Sequence, residues 1–186
     1  RVRFDPAMIE ELMRSAPSEF TFHARNPENS QRIGGNNMVF GTVASPPNSS
    51  DMDGGRRTGN NADYRNFLKL AQYFSCIGFL SGYPVEPIDI HASVRHLEAL
   101  RDAVLLTDKP FHAYSLGSER ILDGIEIARI GRGISHEQLE TEPSLFTIVN
   151  TNSPLKLDTP MLRGILEMSS RNQIVCITPF TLAGAM

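Results

Sequence analysis

The sequence predicts an α/β protein built on a parallel sheet. Three observations carry that reading. First, the apolar runs CIGFLSG, PFHAYS, LFTIVN and IVCITPF look like buried strands. They centre near Ile77, Phe111, Phe146 and Ile174, at intervals of about 30 to 35 residues, the length of one βα unit. Second, the segments between them carry apolar residues at helical spacing. Third, the strand runs are continuous rather than alternating, as expected when helices cover both faces of a sheet.

The elements follow in order. Asp5-Pro6 starts a helix, a carboxylate cap followed by Pro at the first helical position, with Met8, Ile9, Leu12 and Met13 on one stripe. SEFTFHARN and GGNNMVFGTVASPP are short β-like runs bounded by Gly, Asn and Pro, which suggests hairpins. PPNSSDMDGGRRTGNN is turn-rich and reads as an exposed loop, with Arg56-Arg57 a solvated pair beside Asp51 and Asp53. Residues 1–62 thus form a helix-and-hairpin region, and the repeating units occupy 63–186.

In those units, Phe67, Leu70, Ala71 and Phe74 lead into CIGFLSG. Val94, Leu97, Leu100, Val104 and Leu105 lead into PFHAYS. Ile121, Leu122, Ile125 and Ala128, then a short turn where Ser135 and Gln138 fit a capping box, lead into LFTIVNTNS. Thr159-Pro160 starts a helix with Met161, Leu162, Ile165 and Leu166, which runs into IVCITPF.

Composition narrows the function. The 186 residues are 40% hydrophobic and 21% charged, enough for one ordinary core. A net charge of −3 with scattered Lys and Arg makes no electrostatic case for nucleic acid. No apolar run approaches the ~18 residues that span a bilayer. RVRFDPAMIEELM lacks a signal-peptide core, so no membrane partner is expected and the cytoplasm is the expected location. Cys76 and Cys176 lie far apart in apolar surroundings and read as buried free thiols. His91, His96 and His112 lack zinc-site spacing and are assigned to surface or capping roles. No phosphate-binding glycine loop follows a strand, since GRGIS at 131–135 follows a helix. On pattern alone, the units fit either an open doubly wound sheet or half of a (β/α)8 barrel.

In either fold, chemistry gathers at the carboxyl ends of the strands. Those ends supply Tyr83 and Glu86, then His112 and Tyr114, then Asn150 and Asn152, then Thr178 and Phe180. The set is polar but mostly neutral, with no nucleophile–base pair and no pair of carboxylates placed for glycoside hydrolysis. The aromatic faces of Tyr83, Tyr114 and Phe180 suit a cation without a full counter-charge. Asn150, Asn152 and Thr178 would orient a ligand, Glu86 would help neutralise a cation, and His112 would hydrogen-bond.

IVNTNSPLKLD, the helix through GILEMSSRNQ, and ITPFTLAGAM resemble the trimethylamine methyltransferase family. IGGNNMVFGTV, the Asp-rich hairpin with GGRR, GYPVEP and KPFHAYS resemble it in the same order, so the match runs from about Arg32 to Met186. The resemblance implies a (β/α)8 TIM-type barrel of which the chain covers an N-terminal region and about the first half. QIVCITPFTLAGAM then reads as the fourth strand and the start of its connection, so the chain is expected to stop at mid-barrel. The family's pyrrolysine, where present, lies beyond Met186.

The resemblance further implies methyl transfer from a methylated amine, such as trimethylamine or glycine betaine, to a Co(I) corrinoid carried by a cognate partner protein. An active homo-oligomer and an inactive fragment go with it. Two other readings compete. One is a binding protein that holds quaternary ammonium without chemistry. The other is an aldolase- or isomerase-type barrel enzyme, which would need paired acid–base residues or a lysine such as Lys109 or Lys156 in the site.

Overall fold

A computed structural model describes residues 3–151 and 156–178. Helix α1, Pro6–Arg14, begins as expected, with the Asp5 carboxylate accepting from the Ala7 N–H at 3.0 Å. Its apolar stripe of Met8, Ile9, Leu12 and Met13 is exposed, and no residue of α1 is buried.

Strand β1, Glu19–Phe22, pairs antiparallel with β2, Gln31–Gly34. The turn-rich stretch read as a loop contains a second hairpin, β3 (Asn48–Asp51) with β4 (Gly55–Thr58). Asp51 closes its turn by accepting from the Asp53 and Gly54 N–H groups. Arg57 is fixed by Asp63 and, at 3.4 Å, by Asp51, so local side-chain bonds replace apolar pattern as the organising force.

Helix α2, Asn61–Tyr73, starts at the Asn60 cap. The run around Ile77, expected to be the first strand, makes only an isolated parallel bridge, Gly41 to Phe79. Its neighbours explain this. Leu80 N–H donates to Pro110 O at 2.9 Å, but Pro110 has no N–H with which to extend a ladder. Segment 77–86 is instead held along 40–46, through Gly78 N–H to Phe40 O at 2.7 Å, Thr42 N–H to Phe79 O at 3.2 Å and Ser45 N–H to Tyr83 O at 2.7 Å.

The remaining strands form one parallel sheet, in chain order. β5 (Phe111–His112) pairs with β6 (Leu145–Asn150), which pairs with β7 (Ile174–Thr178). Helix α3 (Arg95–Leu106) precedes β5. Helices α4 (Ser118–Arg132) and α5 (His136–Thr141) lie between β5 and β6, and α6 (Thr159–Ser169) lies between β6 and β7. Both halves of the Ser135–Gln138 capping box are present at α5.

Burial along β6 alternates, contrary to the two-sided cover expected. Leu145, Thr147 and Val149 are buried, whereas Phe146 and Ile148 are half-buried and Asn150 is exposed. The buried side meets α4 closely enough that a Cβ on Gly124 would lie 2.7 Å from the Ala113 Cβ and 3.3 Å from Leu145. Tyr64, Leu68, Leu80, Tyr83, Val85, Leu100, Ile121, Leu145 and Met168 share the core. Each such large side chain contributes about 1.5–3 kcal/mol by leaving water.

Other expectations also shift. The inward face of α3 carries His96, Ala99, Leu100, Asp102 and Ala103, while Val94, Leu97 and Leu105 are exposed. Buried Asp102 is admissible there because Arg65 Nη1 bonds both its oxygens, at 3.0 and 3.1 Å, and Arg101 adds a third contact. Cys76 is exposed and Cys176 half-buried. Cys76 sits in the turn after α2, and Cys176 lies in register with Ile148 on the less covered sheet face. Among the described residues, no helix is long and apolar enough to cross a membrane.

Candidate functional site

Tyr83 follows the Phe79–Leu80 segment, and Tyr114 lies two residues beyond the end of β5. Their rings meet edge to face with centroids 4.6 Å apart. Tyr114 also meets His112 edge to face at 4.9 Å, and Tyr83 meets Tyr64 of α2 at 5.5 Å. These contacts make one aromatic wall from four elements. Tyr114 Oη donates to Glu86 Oε1 at 2.5 Å, which ties the loop after segment 77–86 to the loop after β5. Glu86 Oε2 faces Arg95 Nη1 at 3.8 Å.

The electrostatics keep this wall neutral. Burial, then the Glu86 hydrogen bond, push the Tyr114 hydroxyl well above its usual pKa. Burial pushes Tyr83 up likewise. Burial pulls His112 down to about 3, so the imidazole is neutral near pH 7. Its Nε2 accepts from the Ile148 N–H at 3.2 Å, which puts the ring proton on Nδ1. That nitrogen is buried and has no partner among the described residues.

Four of the expected residues, Tyr83, Glu86, His112 and Tyr114, therefore form one contiguous group. Asn150 and Thr178 form a second, at the ends of β6 and β7. They are register partners, and Thr178 Oγ1 donates to Asn150 Oδ1. Both lie on the sheet face that carries His112, because His112 pairs with Phe146 and Asn150 lies four residues further along β6. Asn152 and Phe180 lie outside the described residues.

A cavity of about 300 Å³ adjoins the aromatic wall, bordered by Tyr83, Glu86, Arg95, His96, Tyr114 and Arg120. Arg95 and Arg120 escaped the sequence reading, which drew its ligand-binding candidates from strand ends. His96, assigned to a surface or capping role, is buried, with Nε2 2.9 Å from Asp123 Oδ2. Its signal was its position at the start of a helix directly after a strand-end loop.

The two lysines weighed for carbonyl chemistry stand elsewhere. Lys109 Nζ donates to Ala71 O at 2.5 Å and Phe74 O at 2.8 Å, capping the end of α2. Lys156 is exposed. Among the described residues, no group of three His, Cys, Asp or Glu is placed to hold a metal ion.

The family model for Trimethylamine methyltransferase (MTTB) matches residues 1–186. The chain is 38% identical over 185 residues to a glycine betaine methyltransferase of Desulfitobacterium hafniense (strain Y51). That alignment takes in 100% of this chain and 38% of the relative, so the chain spans well under half the relative's length.

Proposed function

Because the chain belongs to the trimethylamine methyltransferase family, we propose that it forms part of an enzyme that demethylates a methylated amine. The substrate is a quaternary or protonated tertiary amine, such as glycine betaine or trimethylamine. The acceptor is the Co(I) corrinoid of a separate partner protein. In this reading the chain is the first half of a (β/α)8 barrel with its N-terminal region, and the activity belongs to the whole protein. The chain-order pairing of β5, β6 and β7, with segment 77–86 bonded beside β5 through Leu80 and Pro110, supports that architecture.

The observation that carries the proposal is the Tyr83–Tyr114–Glu86 group. Two neutral phenol rings and one carboxylate hold a methylated ammonium by cation–π attraction and partial neutralisation. The leaving group needs no general acid: the N–CH3 electron pair stays on nitrogen, and a neutral amine departs. This fits a wall whose tyrosines are held protonated and whose histidine is held neutral. The chain's residues have three tasks: to bind the cation, to align one N–CH3 bond, and to exclude water. Asn150 and Thr178 add neutral polar groups that orient the ligand from the ends of β6 and β7.

A corrinoid supplies the strongly nucleophilic cobalt that accepts the methyl group. The residues present fit one that arrives with its carrier. His112 is 3% exposed and its Nε2 is engaged by Ile148 N–H, so it is not open to ligate cobalt.

The test uses the full-length protein, its cognate corrinoid protein in the Co(I) state, and glycine betaine or trimethylamine. Cobalt absorption is followed together with proton NMR of the amine. Conversion to dimethylglycine or dimethylamine is expected. Amine binding without any demethylated product would overturn the enzyme reading in favour of a binding protein.

A further inference from the structure

The cavity beside the aromatic wall contains more polar chemistry than the cation needs. Tyr83 Oη and His96 Nδ1 are buried atoms with no hydrogen-bond partner among the described residues, on residues 3% and 8% exposed. A buried polar group left unpaired forfeits its hydration without replacement and is destabilising. Two of them bordering one cavity indicate that a bound molecule completes the bonding.

The charges around the cavity say what kind of molecule. Arg95 is spent locally: its guanidinium donates to Ile90 O at 2.9 and 3.1 Å and faces Glu86. Arg120 has a single weak bond, from Nη2 to Ala92 O at 3.3 Å, and no ion-pair partner among the described residues. One border of the cavity thus carries an uncompensated guanidinium. Another carries the Tyr83 and Tyr114 rings with the Glu86 carboxylate. A trimethylammonium group satisfies the second border and leaves the first unmatched. A carboxylate on the same small molecule satisfies the first, because guanidinium pairs with carboxylate through charge-assisted bonds.

We propose that Arg120, with the Tyr83 hydroxyl, forms a carboxylate subsite that selects zwitterionic betaines over methylated amines lacking a carboxylate. Arg120 is then the specificity-determining residue, and the ammonium end lies against Tyr114 and Glu86. His96 does not decide the sign, since an imidazole nitrogen can donate or accept. Identification of the ligand as a betaine rests on the methyl-transfer reading, whereas the carboxylate subsite itself does not.

The experiment is calorimetric titration of the full-length protein and its Arg120→Gln and Arg120→Lys variants with three probes. These are glycine betaine, choline, and 3,3-dimethylbutanoate, a betaine isostere that lacks the positive charge. The wild type is expected to bind glycine betaine about tenfold or more tightly than choline. Arg120→Gln should abolish that preference by weakening betaine binding, and Arg120→Lys should restore part of it. Melting curves establish that the variants fold, and a misfolded glutamine variant leaves the lysine variant and Tyr83→Phe to report the same preference.

Equal affinity of the wild type for choline and betaine overturns the proposal, as does an unchanged preference in Arg120→Gln. If choline or trimethylamine is demethylated and betaine is not, the subsite falls and the methyltransferase reading stands. If no amine is demethylated but 3,3-dimethylbutanoate binds in an Arg120-dependent way, the subsite stands and the methyltransferase reading falls.

Discussion

Tyr114 Oη and Glu86 Oε1, 28 residues apart in sequence and 2.5 Å apart in space, directly link two of the loops that would carry the site. The bond holds the phenol proton on oxygen and directs one carboxylate oxygen toward the ring, leaving the other toward Arg95. Ring and carboxylate therefore act as one cation-binding unit, and their contributions separate by substitution.

Tyr114→Phe keeps the ring against Tyr83 and His112 and removes only the hydrogen bond. Tyr114→Leu removes the ring as well. Cation–π attraction contributes about 0.5–2 kcal/mol, so the leucine variant should lose about tenfold in amine affinity and the phenylalanine variant markedly less. Titration of both full-length variants with glycine betaine checks this. Wild-type affinity in the leucine variant would remove Tyr114 from the site.

Acid stability follows from His112. Burial lowers its pKa from the usual 6.5 to about 3, so between these values the unfolded chain binds a proton that the folded chain refuses. Stability therefore rises with pH across this window and is lost as pH falls below about 6.5, by up to about 1.4 kcal/mol per unit. His23, lowered chiefly by burial, contributes in the same direction. His112→Gln, whose Oε1 can still accept from Ile148 N–H, should flatten the slope between about pH 5 and 6.5, above the carboxylate range. Denaturant unfolding at each pH measures it. An unchanged slope would mean that His112 takes up its proton in the folded state.

Gln173, just before β7, ties the start of β6 to the end of α5 through four side-chain hydrogen bonds. Its Oε1 accepts from Ser144 N–H at 2.9 Å and Leu145 N–H at 3.1 Å, and its Nε2 donates to Leu139 O at 2.9 Å and Arg171 O at 2.8 Å. Gln173→Ala strands two buried N–H groups at the start of β6 and should cost about 2–4 kcal/mol. Gln173→Glu keeps the acceptor but turns a buried carboxylate oxygen toward the Leu139 and Arg171 carbonyls, so near neutral pH it should cost at least as much as alanine. A denaturation series ranks the three.

The parts that could be read in the sequence were those set by local rules. The Asp5, Ser135 and Thr159-Pro160 helix starts depend on a few adjacent residues, and the strand runs at Phe146 and Ile174 on hydrophobicity alone. The failures came where a distant group decides. The Ile77 run pairs poorly because its neighbour is Pro110, 33 residues away. The inward phase of α3 contains His96 and Asp102 because Asp123 and Arg65 meet them. The same holds for the site. Strand-end counting found Tyr83, Glu86, His112 and Tyr114, but Arg120 enters from the third position of a helix whose packing no short pattern encodes.

Tyr83 gives the most discriminating outcome, because one atom should have opposite effects on folding and on binding. Its hydroxyl is buried and has no partner among the described residues, so Tyr83→Phe removes a desolvated polar group without removing the ring from its contacts with Tyr64 and Tyr114. Removing an unsatisfied hydroxyl is neutral or favourable for stability, by up to about 1–3 kcal/mol. The melting temperature of Tyr83→Phe should therefore equal or exceed that of the wild type. Glycine betaine affinity should fall, since the hydroxyl no longer donates to the carboxylate beside Arg120, while choline affinity stays level. A purely structural hydroxyl would give a different pair of results, with lower stability and unchanged preference between the two ligands. Thermal melts and paired titrations on the same preparation distinguish them.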